Sequence, residues 1–187
     1  MGPISKLFRL GILLGFAAAL IFTIKYLYDT SYEGDETVHF LQGEYPELES
    51  VLQAEPFQDK IVYVDMWFST CGFCRRQFGH LPRVKDYLKD RPDVVFLYLS
   101  HETRHPNSTQ LWKNAIQEFE LDGWHYMMDR SVEKTIWQEI REKDTTVRQG
   151  FPHYMIIDNT SGYRNYNAPK PSEFKALKAT IDPLLKS

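Results

Sequence analysis

Apolar residues recur along this chain in two rhythms. Short unbroken runs, Ile61 to Phe68 and Asp93 to Ser100, read as buried strands, and Trp124–Asp129 and Phe151–Asp158 are further strand candidates. A short edge strand is expected around Tyr163–Tyr166, after a turn at Asn159–Gly162. Between these runs the apolar positions fall three or four apart, which predicts helices. The first carries Phe73, Cys74, Phe78, Leu81, Val84 and Leu88 and runs to about Asp90, with Pro82 expected to kink it. A second, capped by Asn107 or Ser108 and ended by Asp122-Gly123, presents Leu111, Trp112, Ala115, Ile116 and Phe119. A third spans Val132 to about Glu142 with Ile136, Trp137 and Ile140, and a fourth, Ser172 to Leu185, carries Phe174, Leu177, Ile181 and Leu185. Tyr45–Leu52 predicts one short helical turn. Strands alternating with helices predict an α/β domain built on a mixed sheet.

The amino-terminal stretch follows neither rhythm. Leu10 to Ile24 is uncharged and mostly apolar. With Lys25 reaching toward head groups and Tyr26-Leu27-Tyr28 as an interfacial belt, it is just long enough to span a bilayer. Lys6 and Arg9 precede it, and Asp29, Glu33, Asp35 and Glu36 follow it, so the positive-inside rule leaves the remainder of the chain outside. A cleaved signal peptide would start similarly, but no small-x-small site follows the apolar run. The expected organisation is a membrane anchor over 1–28, a polar, acidic tether over 29–44 and one folded domain over 45–187.

Composition narrows the function. Hydrophobic residues make up 43% and aromatics 14%, enough for a sizeable core in a domain of this length. A net charge of −3 offers no basic field for phosphates, so nucleic acid is not an expected partner.

The two cysteines of the chain stand at Cys71 and Cys74, between the predicted strand Ile61–Phe68 and the helix that follows. Cysteines at i and i+3 on the first turn of a helix can join without moving the backbone. Unpaired amides there favour the thiolate of the first cysteine, and Arg75 and Arg76 add positive charge. A zinc site would need four ligands, whereas His39, His80, His101, His105, His125 and His153 are scattered; a c-type haem would need histidine where Arg75 stands. The pattern points to a redox-active pair, with no cofactor and no metal called for. Two thiolates with His80 or His153 holding Cu(I) is the alternative of a different class. Lys60, Arg75, Arg76 and Arg83 read as a solvated face.

The combination of VYVDMWFSTCGFC, the insertion LWKNAI…DGWHYMMD, GFPHYMIID and NAPKPS resembles the thioredoxin-like fold family over residues 45–187. More narrowly, it is similar to the membrane-anchored TlpA/ResA-like thiol-disulfide oxidoreductases. The resemblance implies a central mixed β-sheet flanked by helices, to which the sequence adds one N-terminal transmembrane helix. It implies Cys71 as the exposed attacking thiolate, Cys74 as the more buried resolving thiol, and a Cys71–Cys74 disulfide as the oxidised state. Asp65 falls where related proteins often hold a buried acid that accepts the proton of Cys74; strand alternation could instead leave it on a wet face. Pro152 matches the family's cis-proline, which would set the backbone of Phe151 opposite the cysteines to pair with a substrate strand; a trans-proline opening an edge strand is the alternative. Phe151, Phe73 and Trp67 are the aromatic candidates on the substrate side, with Trp67 expected to pack under the turn. Phe73 replaces the proline common between the family's cysteines, Thr70 stands where tryptophan is frequent, and Pro82 comes about one turn after the usual kink.

The implied activity is exchange of disulfides with substrate proteins outside the cytoplasmic membrane, on the periplasmic side, in the service of cell redox homeostasis. The reductase direction would draw on a transmembrane electron donor. An oxidase would run the same four-residue chemistry in reverse. Copper carriers of this fold tend to have wider cysteine spacing.

Overall fold

The computed structural model describes residues 3–185, and within this range the side chains of 3–9 and 25–31 lie outside the description. The chain divides into two compact units, Met1–Glu33 and Gly34–Ser187. The first is a single helix, α1 (Pro3–Ser31), whose side chains from Leu10 to Ile24 are all exposed. Among the described residues no helix is long and apolar enough to cross a membrane. The side chains that complete the expected span or flank it, Lys25 to Tyr28 with Lys6 and Arg9, lie outside the described residues.

In the second unit, six strands among the described residues form one sheet in the order β1-β4-β3-β2-β5-β6. They are β1 (Val38–Phe40), β2 (Ile61–Trp67), β3 (Val94–His101), β4 (Gly123–Met128), β5 (His153–Asp158) and β6 (Arg164–Asn165). From β1 to β2 across the sheet every pairing is parallel, while β5 and β6 run antiparallel to their neighbours. The central strand β2 is buried along its whole length, which is why it reads as an unbroken apolar run interrupted only by Asp65.

Alternation along β2 divides the core in two. Val62, Val64 and Met66 pack with α2 (Leu48–Leu52) and with Ile136, Trp137 and Ile140 of α6 (Arg130–Lys143). Ile61 and Tyr63 face the other way, onto Val84 and Leu88 of α4 (Leu81–Leu88) and Leu177 and Ile181 of α7 (Phe174–Ile181). α5 (Ser108–Glu118) lies on this second face, with Trp112 edge-on to His125 of β4 at 6.2 Å.

Four sequence expectations change. Residues 29–44 are not all tether, because Val38–Phe40 forms an edge strand parallel to β4. The cysteine helix is not one kinked helix. It stops at Phe78, as α3 (Gly72–Phe78), and α4 begins at Leu81 with Pro82 in its first turn, where a missing N–H leaves no hydrogen bond unmade. α5 ends at Glu118, and Glu120, at a φ of 48°, turns the chain before Asp122-Gly123 is reached. Gly123 instead opens β4 at a φ of 133°, where a Cβ would lie 2.8 Å from the Phe96 carbonyl oxygen. The last helix is likewise shortened, with single 3₁₀ turns at Pro171–Glu173 and Asp182–Leu184, each carrying a proline that cannot donate.

Candidate active site

At the C-terminal end of β2 the chain turns through Phe68-Ser69-Thr70 into α3, with Cys71 as its N-cap. Cys71 and Cys74 are joined as a disulfide, with Cα atoms 5.3 Å apart. The Cys74 amide donates to the Cys71 sulfur at 3.1 Å, so a free amide of the first helical turn points at the sulfur expected to attack. Cys74 is fully buried and Cys71 retains 5% of its surface. Their order of exposure follows the expectation, although in the disulfide form Cys71 is far more covered than a protruding thiol. Phe73 between them is 68% exposed, with the Arg76 guanidinium 4.2 Å from its ring centre.

Asp65 does not lie on a wet face. It is 1% exposed, and neither carboxylate oxygen has a hydrogen-bond partner among the described residues. Burial holds its carboxyl well above the usual carboxylate range. In register it stands between Tyr98 of β3 and Tyr154 of β5, whose hydroxyls are also unpartnered among the described residues. Burial, and then the proximity of Asp65, push both phenols upward.

Trp67 packs edge-on against Phe78 of α3 at 5.1 Å and is completely enclosed. This corrects its place among the substrate-side aromatics: a side chain without exposed surface supports the turn from beneath and offers no contact. The Phe151–Pro152 bond is cis. Phe151 is half-buried and edge-on to Phe68 at 5.4 Å and to Trp137 at 5.7 Å. Pro152 lines a cleft of about 340 Å³ together with Phe73, Arg76 and Lys170.

The remaining expectations divide. Arg75 does not sit as free charge beside the thiols; its guanidinium pairs with Glu118 at 2.5 Å and lies over Phe119. Arg83 lies over Phe174, and Lys60 donates to the Pro92 carbonyl. His80 is exposed at the start of α4. His153 is paired in register with Met66 and packs on Trp137 at 4.9 Å, and it also lines the cleft with Phe73 and Arg76. Among the described residues no group of three or more His, Cys, Asp or Glu is arranged to hold a metal.

Sequence reasoning missed a second cleft, of about 440 Å³, lined by Phe68, Thr70, His101, Arg104, Arg130 and Glu133 among others. His101 ends β3, and Arg130 opens α6 two residues past the C-terminal end of β4, where the segments leaving parallel strands form a crevice. That topological position is the signal that could have found it.

No protein-family model matches the sequence, and no curated protein does. Among solved structures, the thioredoxin domain of a thiol-disulfide oxidoreductase from Bacteroides vulgatus is similar, at 23% identity over 71% of this chain and 84% of that one, with a TM-score of 0.52. The solution structure of a putative thiol-disulfide oxidoreductase from the same organism matches at 22% identity over 68% of this chain and 75% of that one, also with a TM-score of 0.52. The fold of this chain is thioredoxin-like: a mixed sheet with helices on both faces and a Cys-x-x-Cys pair opening α3.

Proposed function

We propose that this protein is a membrane-anchored thiol-disulfide oxidoreductase that reduces protein disulfides outside the cytoplasmic membrane. The observation that carries the reading is the Cys71–Cys74 pair at the first turn of α3, whose Phe78 packs on Trp67, on the sheet face that also buries the carboxyl of Asp65, without a hydrogen-bond partner among the described residues. In the reduced protein the Cys71 thiolate attacks one sulfur of a substrate disulfide. A Cys71–substrate bond forms, the substrate S–S bond breaks, and the other substrate sulfur leaves as a thiolate that takes up a proton. Cys74 then attacks the Cys71 sulfur, its proton passing to Asp65 in the molecules that hold that carboxyl ionised and otherwise to water. The second substrate thiolate departs, and two electrons have moved from the protein dithiol to the substrate. A dithiol donor in the membrane restores the pair.

Phe73 and Phe151 offer the substrate aromatic surface on either side of the exchange, and the backbone beside Pro152 offers it a strand edge. The anchor reading is supported by the exposed apolar side chains Leu10–Ile24 of α1, with basic residues before them and acidic residues after them in sequence.

The test is the reduction potential of the Cys71–Cys74 couple in the full chain, by equilibration with dithiothreitol or glutathione buffers. A value near about −270 mV is expected for the reductase, whereas one near about −120 mV would reverse the direction to an oxidase. Failure to form the couple at all would end the redox reading.

A further inference from the structure

The cleft lined by Phe68, Thr70, His101, Arg104, Arg130 and Glu133 adjoins the exchange site through two ring contacts. His101 stacks on Phe151 at 5.6 Å and meets Phe68 edge-on at 5.5 Å, so its wall continues into the residue before Pro152. Thr70, which also lines it, directly precedes Cys71. The smaller cleft holding Phe73, Arg76 and Lys170 includes Pro152 itself. A polypeptide lying along Phe151-Pro152 would border both.

The two clefts share a distribution of charge that the chain as a whole does not. The protein carries a net charge of −3, yet Arg76, Arg104 and Arg130 make no ion pair among the described residues. The acids nearby are engaged. Glu133 Oε2 turns to His101 Nδ1 at 2.7 Å, Glu173 faces Lys170 at 3.6 Å, and the Asp129 carboxylate accepts from the amides of Ser131 and Val132. Glu102, adjacent in sequence, does not line the cleft. What remains facing an incoming chain is Arg104 and Arg130 in one cleft and, in the other, Arg76, which lies over the Phe73 ring without an ion pair among the described residues; their planar donor forks suit carboxylates.

We infer that the cleft beside Thr70 is a specificity subsite for acidic side chains, so that the preferred substrate is a polypeptide whose target cysteine is flanked by Asp or Glu. The inference rests on the exchange reaction proposed above and names its substrate class. Arg104 and Arg130 bind the acidic side chain on the Phe68–Thr70 side, and Arg76 meets the chain on the other side of Pro152.

The test uses the full-length Cys74→Ser protein, reduced, and three peptides with one cysteine each, blocked as a thionitrobenzoate disulfide and flanked by Glu, Gln or Lys. Attack by Cys71 on the peptide sulfur forms the Cys71–peptide disulfide and breaks the blocking bond, releasing thionitrobenzoate as a coloured thiolate. The Glu peptide is expected to react about fivefold faster than the Gln peptide at low salt, as a few rim charges allow. That ratio should fall toward one in about 0.5 M salt, where exposed charges are screened. The exposed pair Arg104→Gln and Arg130→Gln should collapse the ratio, and Arg104→Glu with Arg130→Glu should favour the Lys peptide instead. If all three peptides react at one rate, the subsite is overturned and the exchange reaction stands. If none reacts, including the Gln peptide, the exchange reaction itself fails and the subsite with it.

Discussion

A carboxyl group set between Tyr98 and Tyr154, with neither oxygen hydrogen-bonded among the described residues, is most stable as the neutral acid. Below the ordinary value of 3.8 the folded and unfolded chains both hold this proton. Above it the unfolded chain releases the proton while the folded chain keeps it up to its raised pKa. Stability therefore falls as pH rises through that interval, by about 1.4 kcal/mol for each unit of the shift. Asp65→Asn is expected to raise the melting temperature of the oxidised protein at pH 7 and to converge with the parent near pH 4. An unchanged melting temperature at pH 7 would mean that the carboxylate is solvated after all. The sulfurs make a separate prediction. Cys71→Ser should abolish reduction of a protein disulfide, whereas Cys74→Ser should trap a mixed disulfide that survives non-reducing electrophoresis. Much of this was legible in the sequence, because Cys-x-x-Cys and an aspartate within an apolar strand are local signals. The engagement of Arg75 by Glu118 was not, since the two lie far apart in the chain and meet only on folding.

At the scale of elements, the break between α3 and α4 separates the turn that holds the sulfurs from the helix that covers the lower sheet. The periodicity of Phe78, Leu81, Val84 and Leu88 continues across the break, so the sequence shows one helix where the structure has two. Pro82 decides between them by sign. In the first turn of α4 it restricts only the unfolded chain, so Pro82→Ala should lower stability by at most about 1 kcal/mol in urea denaturation. Relief of a proline inside a continuous helix would instead raise stability by up to about 3 kcal/mol. The three-residue strand β1 was missed for a related reason. Val38-His39-Phe40 is too short to show an alternation, and only its pairing with β4 marks it as a strand. The cleft beside Thr70 escaped notice because its residues come from the turn after β2, the end of β3 with the loop beyond it, and the first turn of α6, gathered only by the order of the parallel strands.

Across the whole molecule two histidines are enclosed on opposite faces of one sheet. Burial lowers His125, to about 3, and His153, to about 4. The unfolded chain protonates both near 6.5, so between that pH and the folded values it binds protons that the fold excludes. Their contribution is complete above 6.5 and is lost as pH falls, by up to about 1.4 kcal/mol per pH unit for each histidine. Two such terms outweigh the opposing gain from Asp65 over the same interval, so the urea midpoint should drop between pH 7 and pH 5. His125→Gln, which can still donate to the Leu121 carbonyl, should flatten the slope. An equal slope in that variant would place the acid sensitivity elsewhere. The sheet also ends in its two shortest strands, β1 with three residues and β6 with two. Short margins leave little unpaired backbone on which another copy could template, while the long apolar strands β2 and β3 are shielded inside. β4, with its run Gly-Trp-His-Tyr-Met-Met, has only β1 between it and the margin. A chain shortened to begin at Tyr45 would bare that strand, and light scattering should find it aggregating with rising concentration where a chain beginning at Gly34 stays monomeric. Colloidal behaviour in concentrated solution thus hangs on three residues that touch neither sulfur.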